Sequence, residues 1–300
     1  MKRKLIKQGQ GGFTVTVPIT WVRDNNLDAG SEITLKVNED FLMIKPEHIK
    51  LKKKELEIKV DITRESAVRT VLANAYREGF DKIILTYKGK EDIVINIVKE
   101  LLVGFEVLQK KEEKYIIESV AEPSYDDFEK IIQRQFFILL NIIDNVGKEE
   151  IKNDVEQFQK YDNFLKRSIS KRGITLEATS SLWQFLSNLT QIARQCYHLN
   201  KLLREKKTIL SKKEEEFMVQ IREMVRVLQK AYLTKEINHL MGLHSMEQNL
   251  VYQIGPSLLK ENPTEMHYLI SLARVVYLAN SPLMGFIIKQ NNSASKNSSP

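Results

Sequence analysis

From Pro123 onward the apolar residues of this chain fall three and four apart, segment after segment, and that period commits more than half of it to packed helices. The first stripe is Phe128, Ile131, Ile132, Phe136, Leu139 and Ile143; the second is Ile151, Val155, Phe158, Leu165 and Ile169. A third joins Leu182, Phe185, Leu186, Leu189, Ala193, Cys196 and Leu203. Three more stripes follow: Phe217, Ile221, Met224, Val225, Leu228 and Tyr232; Ile237, Leu240, Met241, Leu250 and Ile254; then Leu269, Leu272, Ala273, Val276 and Leu283. The third and sixth share residues as well as period. Ala193, Arg194, Tyr197 and Asn200 recur 80 residues later as Ala273, Arg274, Tyr277 and Asn280. A fixed spacing with the same helix order indicates duplication, so two three-helix units are predicted, residues 124–205 and 211–290. Residues 291–300 are polar and rich in Ser and Asn, the composition of a disordered tail.

Ahead of the helices the periodicity changes. Leu56, Ile58, Val60 and Ile62 alternate as a strand, and Glu65 to Arg77 carries a helical stripe ended by Gly79. Asp81 to Tyr87 reads as a strand, Asp92 to Val103 as a helix, and Phe105 to Leu108 with Tyr115 to Val120 as a hairpin. Residues 55–120 thus form a small α/β layer with helices on one face of a sheet. No catalytic motif stands in it, and a spacer or dimer-contact role is assigned. A basic stretch from Pro46 to Lys54 links it to residues 1–46.

That first segment is of another kind. Lys2, Arg3, Lys4 and Lys7 crowd one end of a short strand, and Gly9, Gly11 and Gly12 provide a tight connection. Phe13, Val15 and Val17 then alternate with Thr14 and Thr16 until Pro18 ends the run. Thr20 can cap a short helix carrying Trp21 and Val22, and strands at Glu32 to Val37 and Phe41 to Ile44 follow. Lysines on a strand edge can simply prevent aggregation. Here they gather beside a glycine turn, which favours a DNA-binding hairpin in which Arg3, Lys4, Lys7, Gln8, Thr14 and Arg23 are the candidate contacts. A net charge of +7 suits a polyanionic partner. The glycines are not a nucleotide loop, since no strand-glycine-helix order and no Gly-Lys-Ser/Thr ending is present.

The order basic strand, glycine turn, Phe-Thr-Val-Thr-Val-Pro, Trp-Val-Arg and Leu-x-x-Gly-Ser-Glu-Ile resembles the SpoVT/AbrB-type swapped-hairpin domain. The resemblance implies an obligate homodimer that presents two copies of the basic edge to double-stranded DNA. With the α/β layer and two helical repeats behind it, the whole chain resembles the archaeal PhoU-type phosphate uptake regulators. The expected fold class is therefore multidomain α+β, with a swapped-hairpin β domain, a small α/β domain and an all-α pair of tandem three-helix bundles. Val71 to Phe80 and Gly104 to Val107 are further local echoes of that family.

The family's metal signature is missing. PhoU-type third helices place Glu and Asp one turn apart to bridge cations, whereas the matching positions here are Thr190/Arg194 and Ile270/Arg274. Arginine cannot ligate a cation, so no metal and no cofactor is expected. Asp162 and Glu247 fall on the apolar seams of the second helices, and two readings follow. In one, Arg194 and Arg274 pair with these acids. In the other, the arginines with Tyr197 and Tyr277 line a cleft for phosphate or another small anion.

Other classes are excluded by what is absent. One cysteine, Cys196, gives no disulfide framework, and no apolar run approaches the roughly 20 residues needed to cross a bilayer, which points to a cytoplasmic protein without membrane insertion. The histidines at 48, 198, 239, 244 and 267 show no zinc spacing, and no hydrolase motif appears, so no enzyme is expected. The reading that follows is a DNA-binding transcriptional regulator, linked by resemblance to phosphate homeostasis, with the helices as sensor. The alternative is a helical adaptor that docks on a phosphate transporter or signalling protein, with the hairpin only dimerising.

Overall fold

The computed structural model describes residues 2–9, 11–37, 42–46, 53–121, 124, 127–172 and 179–297. The chain divides into two compact units, Met1–Lys54 and Glu55–Pro300.

In the first unit β1 (Ile6–Gln8) pairs antiparallel with β2 (Gly12–Thr14), and β3 (Ile33–Val37) with β4 (Leu42–Pro46). Between them lies the one-and-a-half-turn helix α1 (Ile19–Asp24). Pro18, not Thr20, stands at its N-cap, where proline's fixed φ suits the helix entry. Strand β2 stops at Thr14, so Val15 to Val17 continue the alternating sequence without a strand partner among the described residues. Two hairpins and a short helix cannot bury a core: Phe13 is 65% exposed and Val37 75%, and Leu5, Ile6, Leu35 and Leu42 are exposed too. The 47–52 part of the expected linker lies outside the described residues, as does His48.

The second unit begins with a four-stranded sheet in the order β5-β6-β8-β7. Strand β5 (Glu55–Val60) leads through α2 (Glu65–Arg77) to the parallel strand β6 (Lys82–Tyr87), and α3 (Glu91–Leu101) leads to the hairpin β7 (Phe105–Lys111) and β8 (Lys114–Ser119). A bulge between Val107 and Gln109 offsets β7 on β8. One face buries Val60, Ile83, Leu85, Tyr87, Tyr115 and Ile117 under Val68, Leu72, Tyr76, Val94, Ile97 and Val98 of the two helices.

Among the described residues eight α-helices follow: α4 (Phe128–Asn145), α5 (Lys152–Arg172), α6 (Thr179–Lys206), α7 (Lys212–Thr234), α8 (Leu243–Gln248), α9 (Gly255–Glu261), α10 (Pro263–Leu278) and α11 (Asn280–Asn297). The predicted stripes supply one continuous core, from Phe136 and Phe158 through Phe185 and Leu189 to Tyr232, Leu272 and Phe286. Ser211 and Glu214 start α7 with a reciprocal capping box.

The predicted second helix of the second repeat departs from a single rod. A 3₁₀ turn at Ile237–Gly242 and a π-helical stretch at Asn249–Ile254 flank α8. Pro256, which has no N–H for the carbonyl four residues back, accounts for the widening just before α9. The segment expected as a disordered tail is also corrected in part, because α11 carries helix through Asn297. Pro263–Asn292 is long and apolar enough by composition to span a bilayer, longer than any run picked from the sequence. Its Leu269, Ala273, Val276 and Phe286 are core residues.

Candidate functional site: a basic hairpin and a polar cleft

The hairpin places all six candidate contacts on the surface: Arg3, Lys4, Lys7, Gln8, Thr14 and Arg23 are exposed. Gly9, at φ +59, supplies the left-handed turn that lets β1 and β2 meet. Alternation separates the candidates. Lys7 lies opposite Phe13, whereas Gln8 and Thr14 belong to the other face of the ribbon, and the Thr14 hydroxyl donates to the Ile6 carbonyl at 3.4 Å. Arg23 sits in the last turn of α1, where its charge complements the helix dipole.

In the helical unit, the residues expected to cluster do not. The ion-pair expectation fails for both arginines. Asp162 is fully buried, but its partners are Lys166, at 2.9 Å, and Arg77 of α2, at 3.4 Å. Buried Glu247 accepts from Gln248 at 3.3 Å, and Arg274 donates to the Tyr252 hydroxyl at 3.1 Å while lying over its ring. The Asp162 carboxylate is taken by Arg77 of α2 and by Lys166 one turn along its own helix.

Of the four residues expected to line a cleft, two border a cavity, Arg194 and Tyr197. A cavity of about 480 Å3 opens between α2, α3, α5 and α6, with Arg194 and Tyr197 in its wall beside Arg69, Glu100, Glu156 and His198. Arg274 and Tyr277 are not in that wall; Tyr277 packs against His244, with ring centres 5.5 Å apart. Partial burial, then the charges of Arg194 and Lys201, hold the His198 imidazole below its usual pKa. Carboxylates and cations both line the cavity, so it offers polar recognition without a strong bias to one charge. At the positions matching the metal signature, the Thr190 hydroxyl donates to Leu186 O at 3.2 Å, and Ile270 packs against the core.

The feature missed in the sequence is the extent of a buried polar network on α5. Asp162, Asn163, Lys166, Arg167 and Ser168 are all buried, and Asp162, Asn163 and Arg167 bond to α2, α3 or the turn after α2. Arg167 donates to Asp81 at 2.7 Å and to the carbonyls of Tyr76 and Phe80 at 3.1 and 2.8 Å, with the rings of Tyr76 and Phe105 each 4.9 Å from its guanidinium carbon. Asn163 accepts from Arg77 at 2.8 Å and donates to Leu101 O at 3.0 Å. Burial holds the Lys166 ammonium below its usual pKa, opposed by Asp162. This seam fastens the α/β layer to the helices. A run of charged residues one helical turn apart reads in sequence as a solvated face, and only Asp162 was singled out.

The duplicated segment is matched in environment. From Ile192 to Leu199 the succession of buried, half-buried and exposed residues is the same as from Leu272 to Ala279, Arg194 and Arg274 both being exposed. Comparison with protein-family models, with curated proteins and with solved structures gives no match for this chain.

Proposed function

We propose that the chain is a homodimeric DNA-binding regulator whose first unit grips double-stranded DNA and whose helical unit senses or relays a signal. The observation that carries this reading is the first unit itself. It gathers Lys2, Arg3, Lys4 and Lys7 at one end of a hairpin while leaving its apolar residues uncovered in a single chain. Exchange of strands with a second copy gives those residues a core and gives Val15 to Val17 a pairing partner. It also doubles the basic edge. Lysines then meet phosphates, and Arg3, Gln8 or Arg23 approach base edges. The cleft with Arg194 and Tyr197 is the sensor site of this reading. The link to phosphate uptake rests on the order of units, and the reading places the protein in the cytoplasm without catalytic activity.

The test is genome-wide binding of the tagged protein beside Arg3→Ala/Lys4→Ala/Lys7→Ala. Discrete peaks that vanish in the variant are expected, phosphate transport genes among them. A dimeric protein without peaks in either form would favour the adaptor that docks on a phosphate transporter or signalling protein.

A further inference from the structure

The sheet of the second unit has helices on one face only. Its other face presents three rows of side chains, fixed by the strand register. The first row is Glu55, Lys82, Glu118 and Glu106; the second is Glu57, Ile84, Ile116 and Gln109; the third is Lys59, Thr86, Lys114 and Lys111. All are exposed or half-buried. One end of the face is therefore mainly acidic, the middle holds two isoleucines, and the other end is basic. Four carboxylates balance four lysines, although the whole chain carries +7.

Within one chain this arrangement is only partly satisfied. Lys82 pairs with Glu55 at 3.2 Å and Lys114 with Glu57 at 2.7 Å. Glu106, however, lies directly opposite Glu118, and Lys111 directly opposite Lys114. Like charges facing each other across a ladder destabilise it. Glu106, Glu118 and Lys111 have no ion-pair partner among the described residues.

We propose that this face docks on the same face of a second copy, about a two-fold axis running along the middle row, perpendicular to the strands. The operation turns the face over and exchanges its ends. Glu118 then meets Lys114 of the second copy, Glu106 meets Lys111, and Glu55 meets Lys59. Ile84 and Ile116 meet their own copies at the centre, and sheets stacked about 10 Å apart let Lys and Glu side chains span the gap. Glu57 also meets its own copy, each kept neutral by its Lys114. The like-charge pairs thus become the corners of a four-charge lattice. The twelve residues involved are fewer than the roughly 20–30 a side of a stable interface. The contact therefore rests on the dimer reading above: it closes between chains already joined through their hairpin units, at millimolar effective concentration.

The test is made on the full chain. Gln109, on the axis row and exposed, is changed to Cys, and a short bis-maleimide is added; the native Cys196 is buried. Covalent dimers are expected. Adding Lys111→Glu should lower their yield several-fold, since it sets carboxylates against Glu106 of the second copy, and adding Glu106→Lys to that variant should restore it. Lys111→Glu replaces a like-charge pair within the chain by an opposite-charge one, so a misfolded chain is not the expected cause of the loss. A chain that sediments as a monomer would sink both the dimer reading and this contact. A chain that sediments as a dimer but does not cross-link would overturn the contact alone, and so would cross-linking that ignores both charge changes.

Discussion

Arg167 shows how a single residue can join two layers. The residue is 1% exposed, yet its guanidinium serves a carboxylate, two carbonyls and two aromatic rings, all from the α/β layer. Replacing it with Met keeps the stem but leaves the carbonyls of Tyr76 and Phe80 without this donor, while Lys171 still pairs with Asp81, so the cost is about 1–3 kcal/mol. Chemical denaturation of Arg167→Met should show that loss. Lys166 gives a prediction in pH. Its ammonium titrates lower in the folded chain than in the unfolded one, so the unfolded state binds more protons between the lowered value and 10.5. Stability from this group therefore rises with pH across that window. Measured against Lys166→Met, the wild type should gain ground as pH climbs toward 10.5. Cys196 is the inert extreme: burial pushes its thiol up to about 12. A thiol reagent at pH 8 should leave the native chain unlabelled and react once it is unfolded.

At the scale of elements, helix α5 and the broken stretch before α10 show what a sequence period can and cannot carry. Gly255 ends the π-helical stretch, and a Cβ there would stand 2.9 Å from the Leu250 carbonyl and 3.1 Å from Ile270. Gly255→Ala should therefore destabilise the chain by about 1–3 kcal/mol, as overpacking does, and thermal unfolding would read it. The helix Glu65–Arg77 was legible to the residue because its stripe is flanked by a turn and Gly79, and the core stripes of α4, α6 and α7 were legible because each helix buries one face. Helix α5 buries two. Its apolar seam, Asp162 included, was legible, whereas Asn163 and Arg167 beside it carry no sequence mark that separates a buried polar network from a wet surface. The same limit applied to the arginines. Spacing put Asp162 and Arg194 on neighbouring helices, but the cations that reach the carboxylate are Arg77 of α2 and Lys166 of α5 itself. In the hairpin unit the glycine turn and basic residues were legible, but the end of β2 at Thr14 was not, since Val15 to Val17 alternate as a strand would.

For the whole molecule, the question is whether the uncovered hairpin unit and the balanced sheet face belong to one two-fold assembly. Both surfaces are unsatisfied in one chain, the first by exposed apolar residues and the second by like charges set opposite each other. In the proposed dimer each surface meets its own copy. The DNA reading then becomes quantitative. Each lysine of the hairpin counts twice, so Lys4→Ala/Lys7→Ala removes four phosphate contacts from a dimer. Each contact contributes about 0.9 to the slope of log affinity against log salt, so the slope should flatten by roughly 3.6 units. Binding of a duplex followed across a salt series measures it. A change of half that size would mean that one hairpin per dimer touches DNA, and an unchanged slope would place these residues off the DNA. Charge reversal at Lys111 separates the two surfaces, because it should loosen the sheet contact while leaving the salt slope of the hairpins as it was.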